Sequence, residues 1–142
     1  MSTRIGPLFA AQRLIFFALL MGMSLYAVVI AAVLQNNDGK GLVGKPIAIL
    51  DTVVGGVGIG LALAAFLVRR VLQRKLERKD GIARTSARFV TTIVPLAMLE
   101  GGCLFALTVW MLNGNPVPSL VTALVLLAMA IYIVPFSDPD AR

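Results

Sequence analysis

The sequence predicts an all-α fold, a four-helix transmembrane bundle built from two tandem helical hairpins. Three observations predict it. The 142 residues are 58% hydrophobic and only 14% charged, whereas soluble domains carry about 25% charged residues and interleave them with apolar ones. The apolar residues fall into four blocks, at 14–34, 47–68, 89–112 and 117–136. Each reaches the ~20 residues that a helix needs to cross a hydrocarbon core about 30 Å thick. Finally, the first block resembles the third and the second resembles the fourth, so the chain reads as one hairpin duplicated. The connections are too short to hold a soluble domain, and residues 1–142 form a single integral membrane domain.

The first span follows Arg4 and Arg13 and contains no charge. Its apolar run is longer than the 7–15 residues of a signal-peptide core and no A-x-A cleavage site follows, so it is read as retained. The second span opens near Asp51, a solvated or capping residue at the interface. Val68, Leu72 and Leu76 recur every four residues, so this helix continues past the bilayer with one apolar edge. Asp80-Gly81 then ends it, and Thr85 or Ser86 caps the third helix. The third span contains Pro95, which removes a backbone donor and releases a carbonyl one turn below Glu100. The fourth starts just after Pro116.

The repeat is carried by Phe17-Ala18-Leu19-Leu20-Met21-Gly22-Met23-Ser24-Leu25-Tyr26-Ala27 against Leu96-Ala97-Met98-Leu99-Glu100-Gly101-Gly102-Cys103-Leu104-Phe105-Ala106. Pro46, Leu50 and Thr52 align more loosely with Pro116, Leu120 and Thr122. Each unit crosses twice, so both enter from the same side, a parallel duplication. In this register Glu100 stands where the first half has Met21.

Thirteen lysines and arginines give a net charge of +6, and they are unevenly placed. Arg69, Arg70, Arg74, Lys75, Arg78, Lys79, Arg84 and Arg88 all lie in the central connection 69–88, opposed there by Glu77 and Asp80. With four spans, that connection and both termini share a side, and the positive-inside rule places that side in the cytoplasm of a plasma (inner) membrane. A basic cluster that abuts two membrane helices reads as a topology signal touching anionic lipid headgroups, with Arg69, Arg70, Arg74, Lys75, Arg78 and Lys79 as the contacts, and not as a nucleic-acid site.

Histidine is absent, which removes the commonest haem and zinc ligand, so neither a metal nor a cofactor is expected. The single cysteine, Cys103, reads as a small buried hydrophobe. A membrane-embedded enzyme needs several convergent polar groups, and only one polar group stands out here. That group is Glu100, near the middle of its span. A carboxylate at hydrocarbon depth costs at least about 2.5 kcal/mol and so implies a partner or a function. Tyr26, Ser24, Thr52 and Asp51 are the candidate partners. Around it lie small residues spaced for close helix approach: Gly22, Gly56, Gly58, Gly60, Gly101 and Gly102. The run Gly55-Gly56-Val57-Gly58-Ile59-Gly60 lacks the G-x-G-x-x-G spacing and lies within a span, so it reads as helix packing and not as a phosphate loop.

Gly56, Gly58 and Gly60, followed by a basic connection and by Glu100 within Ala97-Met98-Leu99-Glu100-Gly101, resemble the hairpin of the proteolipid (c) subunit of rotary ATP synthases. That resemblance implies a proton or sodium site at Glu100. The connection here is longer than that family's tight turn, and two further spans flank the hairpin. Over nearly its full length the chain resembles small four-span bacterial membrane proteins of unknown function, whose third span carries a glutamate in a leucine-rich segment and whose polar tail follows a proline, here Pro135. The expectation is a small non-catalytic multi-pass protein, an accessory or structural subunit of a larger membrane complex. It would contact the bilayer and either other membrane subunits or its own copies. The alternative is an ion-translocating, proteolipid-like subunit using Glu100.

Overall fold

A computed structural model of the chain describes residues 5–76 and 81–134, with side chains described for 10–76 and 87–134. It is an all-α, four-helix transmembrane bundle of two consecutive hairpins. Helix α1 spans Ile5–Asn36, α2 Ala48–Leu76, α3 Gly81–Asn113 and α4 Pro116–Ile133. All four are long and apolar enough to cross a membrane.

Local chemistry explains the boundaries. Helix α1 ends where Asp38 and Gly39 adopt positive φ (54° and 73°) and the Gly39 N–H returns to the Leu34 carbonyl at 2.8 Å, the usual left-handed helix stop. Arg74 and Lys75 occupy the last turn of α2, where they complement the negative end of the helix dipole. Gly114 (φ 71°) closes α3, its N–H bonding the Trp110 carbonyl at 2.8 Å. Asn115 then caps α4, accepting from the Val117 N–H at 3.4 Å, with Pro116 at the first helical position, where its missing N–H costs nothing.

The central connection is mostly helix. Helix α2 runs through Val68, Leu72 and Leu76 as their spacing predicts. Helix α3 begins at Gly81, so Thr85 and Ser86 lie inside it and are not caps. The reason is that residues 82–88 contain no proline or glycine, while Ala83, Arg84, Ala87 and Arg88 favour helix, so the helix extends back to Gly81. Arg78 and Lys79 lie outside the described residues, as do Arg4, Glu77, Asp80 and Pro135.

The helices differ in length and in company. Helix α3, with 33 residues, is about 50 Å long, whereas α4, with 18, is about 27 Å. Helix α3 packs against all three others and α2 also packs on α4, but the described backbones of α1 and α2 do not come within 8 Å of each other, nor do those of α1 and α4. Helix α3 is therefore the hub: 44% of its most apolar stretch is buried, against 17%, 17% and 22% in α1, α2 and α4. Ile30 and Leu34 of α1 close on Leu107 of α3. Val54 of α2 closes on Ala106 and Val109 of α3. Phe16, Met23, Ala65, Leu99, Cys103, Leu126 and Ala130 belong to the largest cluster, which draws on all four helices. The outward surface remains apolar, with residues such as Leu14, Met21, Leu25, Leu63, Phe66 and Leu124 exposed, as lipid-facing surfaces require.

Candidate functional site

Cross-helix contacts fix the levels of the helices relative to one another. At one end, Arg69 of α2 sits over the ring of Tyr132 of α4, 5.9 Å from its centroid. At the other, the Asn113 amide donates to Asp51 Oδ1 at 2.6 Å and the Asn115 amide to Oδ2 at 2.8 Å. Asp51 and Arg69 share helix α2, so the two levels lie about 27 Å apart, close to the thickness of a hydrocarbon core. Between them, Gly102 of α3 meets Leu61 of α2 and Leu126 of α4.

This register moves Glu100. Its span suggests a mid-membrane carboxyl, but Glu100 is two residues from Gly102 toward the basic end, and Leu61 is two turns from Arg69. Glu100 therefore lies roughly 9 Å inside the Arg69 level and roughly 18 Å from Asp51. The apolar run misleads because its first residues, Phe89 to about Val94, stand at or beyond the Arg69 level. There Thr91 and Thr92 return their hydroxyls to the Ala87 and Arg88 carbonyls, at 2.8 and 3.3 Å.

Glu100 is half-buried, and among the described residues it makes no hydrogen bond or ion pair. The four candidate partners are committed elsewhere. The Tyr26 hydroxyl meets that of Thr108 at 2.9 Å, and since Thr108 donates to the Leu104 carbonyl at 2.8 Å, Tyr26 is the donor of the pair. Ser24 donates to the Leu20 carbonyl at 2.8 Å and Thr52 to that of Ala48 at 3.3 Å. Asp51 holds the two asparagines at the far end. Counting along the helices, the residues at the depth of Glu100 are Ala18, Leu63 and Leu127, and none carries a hydrogen-bonding side chain.

The glycines divide into two sets. A Cβ on Gly102 would lie 2.8 Å from Leu126 Cδ1 and 2.9 Å from Leu61 Cδ1, and one on Gly58 would strike the Thr122 methyl, so these two permit close helix approach within the chain. Gly22, Gly56, Gly60 and Gly101 have nothing within 4 Å of a Cβ position. Among the described residues no helix packs against the faces of α1, α2 and α3 on which they lie. Of the cations, Arg70, Arg74 and Lys75 are exposed and Arg69 is half-buried against Tyr132.

The densest polar constellation is one that sequence reading passed over. Asn113 is 3% exposed. Its Oδ1 accepts the Ile47 N–H while its amide binds Asp51. The 37–47 connection crosses the end of α3, with Leu42 N–H donating to the Met111 carbonyl and Val43 N–H to that of Leu112, both at 3.1 Å. A Cβ on Gly41 would collide with the Leu112 carbonyl, so only glycine allows this approach. Asp51 is thus a half-buried clamp joining α2 to the α3–α4 turn, more than the solvated or capping residue the sequence suggests. The available signal was Asn113-Gly114-Asn115-Pro116, two amides flanking a turn on the same side of the membrane as an acid. Beside the clamp is a cavity of 370 Å³ lined by Lys40, Gly41, Pro46, Asn113, Asn115 and Pro116, among others. A second, apolar cleft of 160 Å³ lies between α1 and α4 over α3. Among the described residues no three His, Cys, Asp or Glu side chains are grouped to hold a metal ion.

Fold and surface together define a multi-pass membrane protein. Comparison with known protein families, with curated proteins and with solved structures finds no match to this chain.

Proposed function

We propose that this chain is a non-catalytic subunit of a larger membrane assembly, seated in a plasma (inner) membrane with its basic end and both termini in the cytoplasm. One observation carries the reading: Glu100 lies within an apolar span, between the Arg69 and Asp51 levels, with no hydrogen-bonding partner among the described residues. An ionised carboxyl costs about 2.5 kcal/mol or more at the bilayer centre, and part of that cost remains at this shallower depth. A neighbouring subunit's helix offering a donor at that depth removes the cost, and the open Gly101 beside it lets such a helix come close. The exposed Arg70, Arg74 and Lys75 fit a headgroup-facing end.

The test is a photo-crosslinker placed at Gly101 in cells, with the size of the native assembly measured in mild detergent. The reading predicts a crosslinked membrane partner or second copy, and an assembly that Glu100→Leu disperses while Glu100→Gln preserves it. A lone monomer with no crosslink sinks it.

A second reading is favoured by the depth of Glu100. Only roughly 9 Å separates it from the basic interface, short enough for proton or sodium entry in a proteolipid-like subunit. That reading requires labelling of Glu100 by a carboxyl-reactive carbodiimide and loss of ion flux in Glu100→Gln. Unchanged flux rejects it.

A further inference from the structure

We propose that the end of the molecule opposite the basic cluster holds one phospholipid, with its phosphate beside Lys40 and one acyl chain in the cleft between α1 and α4. This site is separate from Glu100 and does not depend on how Glu100 is used.

The cleft exists because α1 and α4 both pack on α3 without approaching each other. Leu20 and Ala27 of α1 form one wall, Leu120 and Leu127 of α4 the other, and Cys103 and Leu107 of α3 the floor. Its two polar side chains are already spent: the Ser24 hydroxyl donates to the Leu20 carbonyl, and the Cys103 thiol to the Ala123 carbonyl at 3.4 Å. The cleft therefore offers a guest no free side-chain donor, and its apolar lining favours hydrocarbon. The groove is lined by Leu, Ala and Met side chains of three helices, a surface that takes part of one acyl chain along α4.

Helix α4 joins this cleft to the larger cavity. Leu120, Ala123, Leu124 and Leu127 line the cleft, and Pro116, one turn before Leu120, lines the 370 Å³ cavity. That spacing keeps all five residues on one face of α4, so the two spaces are stacked along the helix, about 6 Å apart in level. The upper one lies at the Asp51–Asn113 level, where the roughly 27 Å span ends and headgroups begin. Among the described residues Lys40 is the charged side chain of its lining, and the Asp51 carboxylate lies behind the two amides that bind it. Pro116 and Pro118 strip N–H groups from the start of α4, which leaves Lys40 to attract the anion. A cation above and an apolar slot below match a phosphate joined to an acyl chain.

Delipidated full-length protein would be titrated with dioleoylphosphatidylglycerol and, separately, with dioleoylglycerol, which has the same chains and no phosphate, and bound lipid counted by native mass spectrometry. Ser24→Phe and Leu124→Trp fill the cleft from opposite walls at exposed positions, and helical content and elution volume confirm that each is folded. The site predicts one tightly retained phosphatidylglycerol in the parent, weakened about ten-fold or more by either cleft variant. Lys40→Gln weakens phosphatidylglycerol and leaves dioleoylglycerol unchanged. Retention equal to the parent in both cleft variants, or phosphatidylglycerol binding unaltered by Lys40→Gln, overturns the proposal.

Discussion

Adjacent glycines in α3 do opposite things. Gly102 is buried between Leu61 and Leu126, and Gly101 is open. Gly102→Val overpacks the junction of α2, α3 and α4 and is expected to cost about 1–3 kcal/mol. Gly101→Ala leaves the isolated chain unchanged or gains up to about 1 kcal/mol from helix propensity. Unfolding of each variant in mixed micelles, monitored by helical circular dichroism, separates the two. Glu100→Leu gives a related contrast. No partner for Glu100 is described within the chain, so this change is expected not to lower the thermal midpoint of the detergent-purified chain. A fall of several degrees would reveal an internal partner. The sequence marks Glu100 as unusual because it is a carboxyl in an apolar run, but it does not give the depth. Hydropathy cannot tell the lipid-facing part of α3 from the part that overhangs it, and the cross-helix contacts of Leu61 with Gly102, Arg69 with Tyr132 and Asp51 with Asn113 supply the ruler.

The element that resists separation is the clamp at the far end. Asp51 engages two amides, and Asn113 also accepts from the Ile47 N–H, so removing either side chain strands a polar group. Asp51→Ala and Asn113→Ala are each expected to cost about 1–3 kcal/mol, and the double variant should cost less than their sum because both lose the same contact. A double-mutant cycle in micelles measures this, and strict additivity would show that the pair is not coupled. The hydrophobic blocks make the helices legible, and the four-residue recurrence of Val68, Leu72 and Leu76 makes the extension of α2 legible too. The clamp is not, because Asp51 and Asn113 are 62 residues apart and each alone reads as an ordinary cap or turn residue. The start of α3 at Gly81 is hidden for the converse reason. Thr85 and Ser86 are good caps in isolation, yet the helix-favouring residues around them carry the helix through.

At the scale of the whole molecule, the bundle follows from four apolar blocks, but which helices touch does not. Apolar surface alone cannot say that α1 packs on α3 and leaves α2 alone. The proposed orientation is testable at this scale. In a Cys103→Ser background, a cysteine at Lys75 is expected to react with a membrane-impermeant maleimide only from the cytoplasmic side, and one at Lys40 only from the other. The reverse pattern would invert the molecule. The hub position of α3 also has a consequence for how the protein is made. Helices α1 and α2 leave the ribosome first, yet their described backbones do not approach each other in the finished bundle. The first hairpin must therefore wait in the bilayer as two separate helices until α3 arrives to gather them. A nascent chain halted after α2 should stay exposed to insertion factors and quality-control proteases, and one extended through Asn113 should become resistant. The third helix thus acts as the checkpoint of biogenesis, and a lesion in it would be felt first as loss of the newly made chain.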